Sequence, residues 1–142
     1  MKTVLFVCIG NSQRSQIAEA YFNHFVDGKA RAISAGTCPA SKVDSRAILL
    51  MAEDGIDLSA KVPKPLTAEM VRQADLVITL GCGVLQSCAL NLGNSEDWEL
   101  EDPLGYPVEK LRPLRDEIKF RVLKLIQKFE LAQQFTKENL LQ

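Results

Sequence analysis

The chain has 142 residues, which is enough for one domain with its own core but not for two. A formal net charge of -1 provides neither the basic surface that nucleic-acid binding requires nor a polybasic membrane anchor. The longest apolar run, residues 4–10, is too short to span a bilayer and lacks a signal-peptide cleavage site. We therefore expect one cytosolic domain over residues 1–142, with its ordered core at about residues 2–133 and no partner among membranes or nucleic acids.

Apolar patterns along the chain predict strands that alternate with helices. Residues 4–9 form a continuous apolar run, which is typical of a strand buried on both faces of a parallel sheet. Residues 82–113 are rich in Gly, Pro, Asn and Asp and predict an irregular segment, with an edge strand near residues 98–100. The other predicted elements are helices at 15–26, 45–54, after Thr67 and at 113–133, and strands at 30–34 and 76–80.

This alternation indicates β-α-β units, and therefore an α/β fold with a parallel sheet and right-handed crossovers. Ligands of such sheets bind beyond the carboxyl ends of the strands. Cys8, Ser34 and Leu80 end the first three predicted strands, so the loops that follow them are expected to meet. We expect the chemistry of the protein at this edge of the sheet.

A C-x5-R motif lies between the first predicted strand and the first predicted helix. Five intervening residues allow successive backbone amides to point at one centre, which forms an anion-binding nest. The following helix adds free N–H groups and the positive end of its dipole, and Gly10 and Asn11 suit the left-handed angles of a tight turn. Arg14 can direct two donors at two oxygens of a tetrahedral anion. The expected oxyanion-binding residues are Ile9, Gly10, Asn11, Ser12, Gln13, Arg14 and Ser15.

The same positive field stabilises a thiolate at Cys8, and Ser15 can donate a further hydrogen bond to the sulfur. Cys8 is therefore predicted to be a nucleophile at neutral pH without a histidine base. The alternative is that Cys8 is a buried cysteine at a strand end and that Arg14 is a surface charge. The strand before the loop and the helix after it favour the catalytic interpretation.

The stretch VLFVCIGNSQRSQIAEA, together with Ser34-Ala35-Gly36 and Asp102-Pro103, resembles the low-molecular-weight protein tyrosine phosphatases and the related thioredoxin-coupled arsenate reductases. The resemblance extends to about residue 129. It implies a four-stranded parallel sheet in the order 2-1-3-4, with helices on both faces. It also implies that Cys8 is the nucleophile, Arg14 the oxyanion clamp and Asp102 the general acid.

Three features favour the reductase branch of this resemblance. Gln16 stands where the phosphatases usually carry proline, and the Asp102 loop lacks aromatics directly after its Asp-Pro pair. Cys82 and Cys88 follow the third predicted strand, where the reductases have their relay cysteines. The resemblance thus implies reduction of arsenate to arsenite by Cys8, and a disulfide relay through Cys82 and Cys88. The reductant would be thioredoxin, glutaredoxin or a low-molecular-weight thiol, with no cofactor.

Two positions depart from the family pattern. Gln13 replaces a cysteine that is common inside this loop. Lys64 stands where potassium-binding members carry an aspartate, and its ammonium could replace that cation near Asn11 and Glu19. We therefore expect no metal site and no dependence on a metal. Cys38 is expected to be inert, although it directly follows the Ala35-Gly36-Thr37 turn that should flank the site.

Two other functions compete with arsenate reduction. A phosphatase acting on phosphotyrosine or small aryl phosphates would use Cys8, Arg14 and Asp102 through a phosphocysteine intermediate, and it needs no second thiol. An oxyanion sensor without turnover would use Cys8 only as a regulatory residue.

Overall fold

The computed structural model describes the chain at residues 1–81 and 83–141, with side chains to residue 130. Its centre is a four-stranded sheet in the order β2-β1-β3-β4, with every neighbouring pair parallel. This confirms the predicted fold class and strand order. The strands are β1 (Lys2–Cys8), β2 (Ala30–Gly36), β3 (Leu76–Thr79) and β4 (Ser95–Asp97).

Helices cover both faces of the central strand. Val4, Leu5, Phe6 and Val7 are fully buried although they alternate between the two faces, so each face must be covered, as their continuous apolar run predicts. Within the described residues, none of the helices is both long enough and apolar enough to cross a membrane. The helices are α1 (Arg14–Phe25), α2 (Ser45–Ala52), α3 (Ala68–Gln73), α4 (Val84–Ser87) and α5 (Val108–Leu141).

The segment after β3 is more regular than the sequence indicates. It contains the helical turn α4, and its edge strand ends at Asp97, before the predicted position. Trp98 and Leu100 are buried, and the Trp98 ring packs 5.6 Å from the ring of Phe6. The aromatic and aliphatic residues that predicted a strand are therefore core residues that follow it.

The last helix starts five residues earlier than predicted, at Val108. Proline is common in a first helical turn, because it lacks an N–H group. Here Pro113 lies inside the helix, between the buried side chains of Leu111 and Leu114. Packing of these leucines into the core stabilises the preceding turn although one backbone hydrogen bond is missing.

The loops that follow β1, β2 and β3 meet at the carboxyl edge of the sheet, as predicted. The amide of Thr37, after β2, donates to the carbonyl of Cys8 at 3.0 Å. The amide of Leu80, after β3, donates to the carbonyl of Val7 at 2.9 Å. Parallel strands bring their ends to one edge, and the candidate site is built there.

Candidate active site

The loop after β1, residues 8–14, is called the oxyanion loop below, and its carbonyl oxygens hold it in place. Four of them accept hydrogen bonds from main-chain amides of the loop after β2, at distances of 2.8–3.0 Å. Because these carbonyl oxygens face the loop after β2, the other side of the loop is available to its amides. The amide of Asn11 donates to the Cys8 sulfur. The four pairs are Thr37 N–Cys8 O, Cys38 N–Ile9 O, Ala40 N–Gly10 O and Asp44 N–Ser12 O.

Cys8 is only 2% exposed, and its sulfur lies beneath this loop. It accepts a hydrogen bond from the Asn11 amide at 3.2 Å and lies 2.8 Å from the Ser15 hydroxyl oxygen. The Ser15 hydroxyl itself accepts from Asn11 Nδ2 at 2.7 Å, which leaves its own hydrogen available for the sulfur. Two donors can therefore stabilise a negative charge on the Cys8 sulfur.

The backbone of the loop turns sharply at Asn11, which has a φ of +50°. Gly10 was expected to be left-handed as well, and this expectation is wrong: within residues 8–15, all of which the structure describes, Asn11 is the residue with positive φ. Asparagine tolerates this conformation better than most side chains. Close approach is required instead at Gly36, where a Cβ atom would lie 2.5 Å from the carbonyl oxygen of Ile9.

The Asn11 side chain links three segments around the sulfur. Its amide nitrogen donates to the hydroxyls of Ser15, at 2.7 Å, and Ser34, at 3.0 Å. Its carbonyl oxygen accepts from Gln16 Nε2 at 3.1 Å and from the main-chain amide of Lys64 at 2.9 Å. All four hydrogen-bonding positions of the amide are thus used, which fixes the turn of the loop.

Arg14 is not a surface charge, so the surface location that the alternative interpretation gives it is wrong. It is the first residue of α1 and only 3% exposed. Its Nη1 donates to the carbonyl of Leu80, directly after β3, at 3.1 Å. A buried guanidinium, always charged, therefore lies at the same edge of the sheet as the Cys8 sulfur.

Lys64 and Glu19 form an ion pair near Asn11. The ammonium of Lys64 lies 3.7 Å from a carboxylate oxygen of Glu19, whose side chain is almost fully buried. A buried carboxylate requires a compensating charge, and Lys64 provides one. The neighbouring Gln16 Oε1 is buried without a hydrogen-bond partner among the described residues. Independence from metal ions stays a prediction.

Asp102 lies in an exposed loop between β4 and α5, and its Oδ1 accepts a hydrogen bond from the Leu104 amide at 3.1 Å. Leu100, two residues before Asp102, packs on Gly81, which lies two residues after the end of β3. Gly81 has a φ of +102°, and a Cβ atom there would overlap the backbone of Leu100. The loop that carries Asp102 therefore passes over the same edge of the sheet.

Cys82 lies outside the residues that the structure describes. The next residue, Gly83, has a φ of +84°, and a Cβ atom there would lie 2.5 Å from Ile9 Cδ1, so α4 begins against the oxyanion loop. Cys88 directly follows α4 and is half-buried. Cys38 is exposed, and its main-chain amide is part of the backbone contact that supports the loop.

Sequence reasoning missed Asp44 and Arg46. Asp44 caps α2 by accepting from the Arg46 amide at 2.8 Å, and it also accepts from Gln13 Nε2 at 2.8 Å. An aspartate directly before a predicted helix is a recognisable N-cap signal. Nothing in the sequence indicates the second contact, because Gln13 and Asp44 are 31 positions apart.

A family model described as low molecular weight phosphotyrosine protein phosphatase matches residues 3–138. The glutaredoxin arsenate reductase of Synechocystis sp. is 42% identical over 130 residues, which cover 90% of this chain and 98% of that relative. The solved thioredoxin-dependent arsenate reductase of Corynebacterium glutamicum has a TM-score of 0.77 at 34% identity, covering 93% of this chain but 63% of its own. The YwlE arginine phosphatase from Geobacillus stearothermophilus has a TM-score of 0.83 at 25% identity, covering 94% and 96%.

Proposed function

Since the chain belongs to the low molecular weight phosphotyrosine protein phosphatase family, we propose that it reduces arsenate to arsenite with Cys8 as the nucleophile. The observation that carries this proposal is the Cys8 sulfur, held between the Asn11 amide and the Ser15 hydroxyl at the edge of the sheet that contains buried Arg14. Identity of 42% to a glutaredoxin arsenate reductase supports the reductase reaction.

Arsenate is tetrahedral and anionic, and the turn after β1 is suited to such a ligand. The dipole of α1 and the N–H groups of its first turn add positive potential where α1 begins. Phosphate has the same shape and charge, so it is expected to bind as a competitor. The binding residues in this proposal are Ile9, Gly10, Asn11, Ser12, Gln13, Arg14 and Ser15.

In the first step, the Cys8 thiolate forms a bond to arsenic, and a hydroxyl group leaves as water after Asp102 protonates it. In the second, the Cys82 thiolate attacks the Cys8 sulfur. The sulfur–arsenic bond breaks and its electron pair stays with arsenic, which leaves as arsenite. Arsenic is thereby reduced by two electrons and two thiols are oxidised to the Cys8–Cys82 disulfide.

Cys88 then attacks Cys82, which releases the Cys8 thiolate and leaves a Cys82–Cys88 disulfide. Six helical residues would separate the two Cα atoms by about 9 Å, whereas a disulfide tolerates roughly 4.4–6.8 Å. Val84–Ser87 is helical in this structure, so α4 must unwind in this step. Gly83, with its φ of +84°, provides a flexible point directly before the helix.

An external dithiol would reduce the Cys82–Cys88 disulfide and return the protein to its starting state. One arsenate reductase similar to this chain is named for glutaredoxin and another for thioredoxin. Either donor, or a low-molecular-weight thiol, therefore fits the proposed cycle.

The decisive experiment measures arsenite formation with thioredoxin and with glutaredoxin systems, beside hydrolysis of p-nitrophenyl phosphate. Cys8→Ser is expected to abolish both activities. Cys88→Ser is expected to lose multiple turnovers, and Cys38→Ser, which removes an exposed thiol outside the relay, should keep full activity. Full multiple-turnover activity of Cys88→Ser would contradict the three-cysteine relay.

The second candidate is a phosphatase that hydrolyses phosphotyrosine or small aryl phosphates through a phosphocysteine. The high TM-score to an arginine phosphatase favours it, and it needs only Cys8, Arg14 and Asp102. The surroundings of Asp102 speak against a phenol-binding site. The nearby ring of Tyr106 is covered by the Lys110 ammonium at 4.2 Å, and its hydroxyl donates to Glu101. Hydrolysis of aryl phosphates without arsenite formation by any donor would favour the phosphatase.

A further inference from the structure

Side-chain contacts connect the oxyanion loop to the start of α2. Gln13, inside the loop after β1, donates from Nε2 to Asp44 Oδ2 at 2.8 Å. Asp44 in turn accepts from both ends of the Arg46 guanidinium, from Nε at 3.0 Å and from Nη2 at 2.7 Å. Gln13 is buried, and the side chains of Asp44 and Arg46 are 23% and 28% exposed. This pair is therefore better protected from water and salt than an ordinary surface ion pair.

The same guanidinium continues the connection to the loop that carries Asp102. Its remaining terminal nitrogen, Nη1, donates to the main-chain carbonyl of Tyr106. The Tyr106 hydroxyl donates to the carboxylate of Glu101, the residue directly before Asp102. Arg46 thus reaches the end of a six-residue turn, residues 101–106. The two ends of this turn, Glu101 and Tyr106, contact each other, and Asp102 lies between them in the sequence.

We propose that Gln13, Asp44 and Arg46 are positioning residues. They hold the loop that carries Asp102, residues 101–106, in place relative to the oxyanion loop. This inference rests on the proposed function, since it assigns to these residues the placement of Asp102 over the bound oxyanion. It also gives a role to the side-chain amide of Gln13, which is the group that reaches Asp44.

The chemistry of each group suits this role. Hydrogen bonds from Arg46 hold the pKa of Asp44 below its ordinary value, so Asp44 remains an anion throughout the neutral range. Arg46 needs three of its donors, two for Asp44 and one for Tyr106. A lysine keeps the charge but cannot form the planar, three-way contact. Since Asp102 is exposed, its placement depends on its neighbours in the loop.

Arg46→Met removes the guanidinium, while the Asp44 carboxylate can still cap α2. With arsenate, and with p-nitrophenyl phosphate as a second substrate, kcat is expected to fall about tenfold, because a small displacement of a reacting group can cost up to about 100-fold. Competitive inhibition by inorganic phosphate should change by less than about twofold, since the oxyanion loop keeps its backbone contacts. Arg46→Lys should show an intermediate kcat. Arg72→Met removes an arginine from an exposed ion pair with Glu69 and is the matched control, with no expected change.

A double-mutant cycle with Asp102→Asn separates positioning from general damage to the fold. If Arg46 acts through Asp102, Arg46→Met should not slow the Asp102→Asn variant further. An equal slowing in both backgrounds, or an unchanged kcat in Arg46→Met alone, would overturn the proposal while the proposed function stands. If the wild-type protein turns over neither substrate, the proposed function fails. Hydrogen exchange of residues 101–106 then tests the physical link alone: faster exchange in Arg46→Met supports it, and unchanged exchange overturns it.

Discussion

Replacing Asn11 by alanine is expected to destabilise the whole fold, because this side chain connects three segments that are distant in the sequence. Its amide nitrogen donates to Ser15 and Ser34, and its oxygen accepts from Gln16 and from the Lys64 main chain. The residue is fully buried, so water cannot replace these partners without entering the core.

The magnitude follows from the four contacts and the backbone angle. A net contribution of about 1 kcal/mol for each hydrogen bond amounts to about 4 kcal/mol. Alanine at a φ of +50° adds roughly 1 kcal/mol of strain. The hydroxyls of Ser15 and Ser34 can rotate towards new acceptors, which recovers part of the loss. We therefore expect Asn11→Ala to lower the free energy of unfolding by roughly 3–5 kcal/mol, and Tm by roughly 10 °C.

Urea unfolding monitored by circular dichroism measures this difference, and Asn23→Ala is the matched control. Asn23 lies in α1 and makes two hydrogen bonds to the main chain of Ala32, at 2.8 and 3.0 Å, but it is exposed. Water can replace its contacts, so its loss is expected to cost about 1 kcal/mol or less. If Asn11→Ala loses no more free energy of unfolding than Asn23→Ala, the reasoning about the buried amide is refuted.

Three further predictions concern charge. Ser15→Ala should slow alkylation of Cys8 by iodoacetamide at pH 7 about tenfold, because a hydrogen bond to an ionised group is worth roughly 1.5 kcal/mol; an unchanged rate would contradict the contact at 2.8 Å. Hydrogen bonds from Arg112 and from a second arginine of α5 lower the pKa of Glu53 from 4.5 to about 2, so the stability it contributes is present above pH 4.5 and is lost as the pH falls towards 2. Urea unfolding between pH 2 and 6 should therefore show a weaker pH dependence for Glu53→Gln than for the wild type. Exchanging sodium for potassium in the assay buffer should leave turnover unchanged, since Lys64 already provides a cation for Glu19. Stimulation of turnover by potassium would show that the Lys64 ammonium does not replace a metal cation there.

The parts of the fold that could be predicted are those with a local cause. The apolar run of β1 indicates burial on both faces without knowledge of its neighbours, and Thr67 marks the start of α3, where its hydroxyl caps the Met70 amide. The predictions failed where a distant contact outweighs the local signal. Trp98 is a residue type that favours strands, and the sequence therefore predicts a strand there. In the structure, β4 ends at Asp97, and Trp98 packs on Phe6 in the core instead.

The spacing from Cys8 to Arg14 determined the core of the candidate site. A short loop between a strand and a helix can arrange its amides and its cysteine in only a few ways. The tertiary structure alone decided what surrounds that loop. Gln13 meets Asp44 across 31 positions and Arg46 meets Tyr106 across 60. Such polar contacts depend on how separate loops fold over one edge of the sheet, and hydrophobic periodicity does not encode them.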